Sequence, residues 1–134
     1  MEKLRSIYSG KTVLVTGHTG FKGSWLSAWL ILLGAKVVGI SKDIPTSLSN
    51  YKVSRINQLI EEHWIDIRHA NSVRKVVIDC KPDFVFHLAA QALVRPSYEL
   101  PLETLTTNAI GSANVLDALR GLSNDVFAVM ITSD

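Results

Sequence analysis

Gly17, Gly20 and Gly23 stand at three-residue spacing in the run Thr16-Gly-His-Thr-Gly-Phe-Lys-Gly23, directly after the apolar Val13, Leu14 and Val15. A glycine loop between a buried strand and a helix can hold a pyrophosphate. Gly17 can take the positive φ that a sharp turn out of a strand needs. Gly20 has no Cβ, so phosphate oxygens can approach the main chain, and Gly23 lets the next helix lie against its strand. That helix aims unpaired N–H groups and the positive end of its dipole at the phosphates. Taken alone, the three glycines also fit a plain surface turn. The strand before them, the apolar helix after them and the segments that follow favour dinucleotide binding.

Those segments alternate strand-like and helix-like patterns. Strands are expected at 11–16, 36–40, 62–65, 84–88 and 126–131. Helices are expected at 22–33, closed by Gly34, at 70–80, stopped by Pro82, and at 102–119, ended by Gly121. A turn-rich loop occupies 41–50, and 53–60 carries a weak helical pattern. Val73, Val76, Val77 and Cys80 make an inward stripe on their helix, and Leu102, Leu105, Ala109, Ala113, Leu116 and Leu119 share one face of theirs. Strands separated by helical crossovers predict an α/β fold, a Rossmann-like doubly wound parallel sheet of about five strands. Right-handed crossovers put the ligand site above the carboxyl ends of the first and fourth strands, where strand order reverses. The polar clusters 17–23, 66–67, 89–91 and 132–134 each follow a predicted strand.

Composition narrows the class. The 134 residues carry a net charge of +2 with no basic stripe, so nucleic acid is not an expected partner. Cys80 is the sole cysteine, which excludes a disulfide within the chain and suits a reducing compartment. His18, His63, His69 and His87 show no metal-ligand spacing, and no metal is expected. The apolar stretch 25–35 is shorter than the roughly 20 residues a membrane span needs. It is read as a helix buried beneath the sheet, in a soluble cytoplasmic protein.

Thr16-Gly-x-x-Gly-Phe-x-Gly23 resembles the cofactor fingerprint of the extended short-chain dehydrogenase/reductases, the sugar-nucleotide epimerases and dehydratases. His87-Leu-Ala-Ala-Gln91, Thr107-Asn108-x-x-Gly111 and Thr132-Ser-Asp134 resemble the later motifs of that family, in the right order. Within it, residues 17–26 and 87–98 look most like the CDP-glucose 4,6-dehydratases. The resemblance implies that Gly17, His18, Thr19, Gly20, Phe21, Lys22 and Gly23 form the cofactor loop, with the Phe21 and Lys22 amides at the helix start. It implies that Asp66 accepts from the adenine amino group while Ile67 packs on the ring, although Asp66 also fits a cap for the next helix. Leu88, Ala89, Ala90 and Gln91 would follow the strand beneath the nicotinamide half, Thr107 would face the cofactor, and Thr132 would stand at the last strand's end. Ser133 and Asp134 would be catalytic, bonding the sugar's 4-hydroxyl and protonating the departing 6-hydroxyl. Gln91, Thr107 and Asn108 equally fit ordinary loop and helix-face roles. In the family's reaction, hydride leaves C4 for the cofactor, water is lost across C5 and C6, and hydride returns to C6.

Two departures from the family pattern bear on chemistry. Ser41, with Lys42 and Asp43 beside it, stands where an acidic residue usually binds the adenosine ribose. NAD is the expected cofactor, and NADP stays open because Ser41 would not repel a 2′-phosphate and Lys42 could attract one. The family's Tyr-x-x-x-Lys pair does not occur: Tyr8, Tyr51 and Tyr98 have no lysine four residues on. Residues 1–134 are therefore read as a dinucleotide-binding domain incomplete at its C-terminus, inactive alone, whose parent takes a nucleotide-sugar substrate. The alternatives are a fragment of a related epimerase or reductase, or a non-catalytic dinucleotide-binding module. The apolar last strand, left at an edge, and the long helix's apolar face predict a homo-oligomer.

Overall fold

The structure is a computed structural model and describes residues 1–132. Five strands, β1 (Thr12–Thr16), β2 (Lys36–Ser41), β3 (Glu61–Trp64), β4 (Phe84–His87) and β5 (Phe127–Met130), form one sheet in the order β3-β2-β1-β4-β5. Every pairing is parallel. The order reverses between β1 and β4, as the alternating pattern predicts, and the carboxyl ends of those two strands open into the crevice of a doubly wound sheet.

Helices cover both faces: α1 (Glu2–Tyr8), α2 (Phe21–Leu32), α3 (Asn50–Val53), α4 (Ala70–Cys80), α5 (Val94–Glu99), α6 (Pro101–Leu105) and α7 (Gly111–Leu119). The two-residue period of β1 divides the core. Leu14 joins Val38, Ile40 and Val85 beneath Val73, Val76 and Val77 of α4 and Val115 and Ala118 of α7. Val13 and Val15 point the other way, with Val37, onto Leu30 of α2, and Tyr8 of α1 packs on Phe84 at 4.9 Å between ring centroids. Residues apolar at both parities are what a strand covered on both faces needs.

Three expectations are corrected. The helix over 22–33 is not buried all round: Ser24, Ser27 and Leu30 face inward, whereas Phe21, Trp25, Trp29 and Leu32 are exposed. The single helix expected over 102–119 is α6, a π-helical turn at Thr106–Ile110, and α7. Its inward residues are Thr107, Gly111, Val115 and Ala118, while Leu102, Leu105 and Leu116 face outward. The reason is close approach. A Cβ at position 111 would come 2.5 Å from Ile67 Cδ1, so the chain lies on the sheet through a glycine and not through its leucine stripe. The short α1 and α5 were not anticipated, because seven and six residues carry too little periodicity to register.

Candidate functional site

The glycine loop begins where β1 ends. Gly17 takes φ +76°, and a Cβ there would lie 2.8 Å from the Ala89 amide nitrogen. The loop therefore rests directly on the chain leaving β4. At Gly23 a Cβ would sit 2.1 Å from the Gly17 carbonyl oxygen, so the first turn of α2 is seated on the loop itself. At Gly20 only the Gly17 oxygen comes near, at 3.3 Å, and the space above it is open. Gly20 is also the N-cap of α2, and no side chain caps the helix. The loop is thus pressed against protein at two glycines and bare at the third.

A cavity of about 160 Å³ opens there, lined by the loop at Gly17, Thr19 and Gly20, the end of β2 at Ser41, Lys42 and Asp43, Asp66 and Ile67 after β3, Leu88, Ala89 and Ala90 after β4, and Thr107. Three of the clusters noted in the sequence, 17–23, 66–67 and 89–91, meet in one cleft, joined by the end of β2. A wider groove of about 880 Å³ continues past Phe21, Trp25, Leu48, Gln91 and Leu93. Thr107 borders both spaces, is 7% exposed, and its hydroxyl has no hydrogen-bond partner among the described residues. A buried hydroxyl without a partner is costly unless a ligand or water completes it.

Behind Leu88 and Ala89, which line the cleft, runs a buried hydrogen-bond chain. Thr16 Oγ1 accepts from the amides of Leu88 and Ala89, both at 3.2 Å, and so gives its own proton to His87 Nδ1 at 2.7 Å. His87 Nε2 in turn bonds Ser112 Oγ at 2.9 Å, which donates to the Asn108 carbonyl at 2.6 Å. Burial holds the His87 pKa below the ordinary histidine value, in keeping with a neutral ring relaying between hydroxyls. Asn108 grips Gln91 at two points, accepting from its amide at 2.8 Å and donating to its carbonyl at 3.0 Å.

Several candidates are placed differently from the simplest reading. The Gln91 side chain is taken up by Leu93 and Thr104. Asp66 borders the cavity but does not cap α4, whose N-cap is His69. Its carboxylate is clasped by the Arg68 guanidinium, with Nη2 at 2.6 Å, and by the Arg68 amide at 2.9 Å. Those bonds hold its pKa below the usual carboxylate range. His18 is fully buried under the loop, so its ring faces the protein and not the cavity. Phe21 and Lys22 are exposed at the start of α2, and Thr132 is exposed beyond β5. Ser133 and Asp134 lie outside the described residues. The close contacts of Gly39 with His18 and of Gly111 with Ile67 escaped the sequence reading, because these partners lie far apart in the chain; the Arg68 clasp on the nearby Asp66 escaped it as well.

The GDP-mannose 4,6 dehydratase family model matches residues 14–134. The chain belongs to that family. It is 48% identical over 130 residues to a CDP-glucose 4,6-dehydratase of Salmonella typhimurium, covering 97% of this chain and 36% of that protein. It is 34% identical to an Arabidopsis thaliana GDP-mannose 4,6 dehydratase, covering 86% and 33%. The chain thus spans about a third of the length of the curated relatives it matches. Among solved structures, UDP-glucose-4-epimerase from Stenotrophomonas maltophila, with bound NAD and formylated UDP-arabinopyranose, superposes with TM-score 0.78 and 28% identity over 92% of this chain and 37% of that one. A Thermus thermophilus UDP-glucose 4-epimerase in complex with NAD gives 0.72 at 30% identity, over 81% and 33%. The expected Rossmann-like fold and the resemblance to sugar-nucleotide epimerases and dehydratases are both borne out.

Proposed function

We propose that this chain is the dinucleotide-binding part of a cytoplasmic nucleotide-sugar 4,6-dehydratase whose substrate is CDP-glucose and whose cofactor is NAD. The observation that carries the reading is the glycine loop itself. Its open face at Gly20 leads into a cleft bordered by the unpartnered Thr107 hydroxyl, at the point where strand order reverses. The 48% identity to a CDP-glucose 4,6-dehydratase supports this substrate over the mannose nucleotide.

In this reading the Phe21 and Lys22 amides, at the uncapped start of α2, receive the pyrophosphate above Gly20. Asp66 and Ile67 border the adenine end. Ala89 and Ala90 leave room for the nicotinamide half, and Thr107 Oγ1 gains its missing partner from the cofactor. When bound, NAD would take hydride from the sugar's C4 and return it to C6. The chain's own contribution is to bind and orient the cofactor. Lys42 argues for NAD over NADP: its ammonium lies 3.4 Å from Glu103 and 4.0 Å from Asp43, so a 2′-phosphate would have to compete with two carboxylates. Ser133 and Asp134 remain candidates for the catalytic hydroxyl and acid. Tyr51 does not replace the family's tyrosine, since burial and Glu62 push its pKa well up and its hydroxyl is bound to that carboxylate. The chain alone is therefore expected to yield no 4-keto-6-deoxy product. Association with a second copy would cover the exposed Phe127, Val129 and Ile131 around the edge strand β5.

Calorimetric titration with NAD tests the reading. The wild-type chain should bind, and Gly20→Val should abolish binding by filling the open space. Equal heats from both proteins would overturn the assignment.

A further inference from the structure

The His18 ring is enclosed on every side. A Cβ at position 39 would lie 2.6 Å from its Cγ and Nδ1, so the ring lies on a bare stretch of β2. Tyr51 and Trp64 flank it at 5.7 and 6.2 Å between centroids. Its two nitrogens are both engaged, Nε2 with Glu62 Oε1 at 2.9 Å and Nδ1 with Ser41 Oγ at 3.1 Å. The same Glu62 oxygen accepts from the Tyr51 hydroxyl at 2.6 Å.

In a neutral His18 ring these contacts direct each proton. An ionised carboxylate only accepts, so Nε2 carries the ring proton toward Glu62. In the neutral ring Nδ1 is then an acceptor, and Ser41 must donate to it. The Ser41 oxygen also receives the Thr19 amide at 3.4 Å. Ser41 borders the cleft, and what it has left to offer there is a lone pair, not a proton.

Resting on the dinucleotide-binding reading, we infer that His18 is a positioning residue that makes Ser41 an acceptor-only contact, favouring a ligand hydroxyl and disfavouring a phosphate at the end of β2. A ribose 2′-hydroxyl can donate to the Ser41 oxygen. A 2′-phosphate dianion has no proton to give and receives none. The sequence places serine where family members usually carry an acid, and the buried histidine gives that serine the acid's hydrogen-bonding polarity.

The test is titration of the chain with NAD and with NADP, which differ by the 2′-phosphate. Ser41→Ala should weaken NAD by about two- to tenfold, the range of one hydrogen bond, and leave NADP unchanged. His18→Phe keeps a ring on Gly39 but frees the Ser41 proton, so the NADP-to-NAD affinity ratio should rise by a similar factor. His18→Asn, whose amide oxygen can stand in for Nδ1, should restore the wild-type ratio. In the Ser41→Ala background, His18→Phe should no longer move the ratio, an outcome that a purely structural role for His18 would not produce. Should His18→Phe fail to fold, His18→Leu, which likewise offers the Ser41 proton no acceptor, takes its place. An unchanged ratio in Ser41→Ala would overturn the inference while leaving dinucleotide binding intact. Failure of the wild-type chain to bind either nucleotide would instead overturn the reading beneath it.

Discussion

Gly23→Ala and Gly20→Ala change the same atoms three residues apart, and the structure predicts opposite outcomes. At position 23 the new methyl would lie 2.1 Å from the Gly17 oxygen, 2.8 Å from the Gly17 carbonyl carbon and 2.9 Å from His18 Cα. The first of these is roughly 1 Å inside ordinary contact. All three obstacles are backbone, so no side chain can swing aside, and α2 must lift from the loop. That helix holds Leu30 in the cluster with Val13, Val15 and Val37, which would loosen. Overpacking of this kind costs about 3 kcal/mol, and the better helix propensity of alanine returns at most about 1 kcal/mol. A net loss of about 2 kcal/mol lowers the melting temperature by about 6 °C in a domain of this size. At position 20 the backbone is ordinary, φ −71° and ψ 169°, and the nearest atom is 3.3 Å away. Gly20→Ala should melt within about 3 °C of the wild type, yet bind NAD much more weakly. Circular dichroism melts of both variants, paired with calorimetry, read the contrast. A Gly23→Ala protein that melts like the wild type, or a Gly20→Ala protein that melts lower than Gly23→Ala, would refute the account of the loop.

Acid should weaken the fold in two stages. His87 is held below its ordinary pKa, so between that lowered value and about pH 6.5 the unfolded chain binds the extra proton, and stability falls as pH drops through this window. His87→Gln should flatten this stage in urea titrations run from pH 7 to pH 5. Asp66, bonded by Arg68, and Asp83, bonded by the Thr12 amide and Lys11, are both held low. Their contribution is present above about pH 4 and is lost as pH falls through their folded values. Gly39→Ala would press a methyl into the His18 ring, so a loss of about 1–3 kcal/mol is expected in denaturant unfolding, and a neutral result would show that the ring is not confined. Light scattering across a wide concentration range should reveal self-association that Val129→Lys reduces, whereas a clean wild-type monomer at high micromolar concentration would count against β5 as a contact.

The parallel sheet was legible because its determinants are local. Val13, Leu14 and Val15 announce a strand covered on both faces, and the glycine spacing that follows announces the turn and the helix start. Each signal lies within a few residues of the structure it specifies, and the alternation of strands and helices then leaves few topologies. Gly17 and Gly34 could be read in the same way, since a turn and a helix end ask for the positive φ they adopt. The chemistry of individual side chains was not legible. His18 is part of the glycine fingerprint in the sequence, but its ring is directed by Glu62, 44 residues on, and by the bare backbone of Gly39. The long helix showed its leucines plainly, yet Gly111 against Ile67 selects the face that turns inward. Backbone conformation and apolar period are properties of neighbouring residues, so the sequence alone carries them. The direction of a proton or the seating of a ring depends on which distant groups the completed sheet brings within hydrogen-bond reach, and only the tertiary structure decides that.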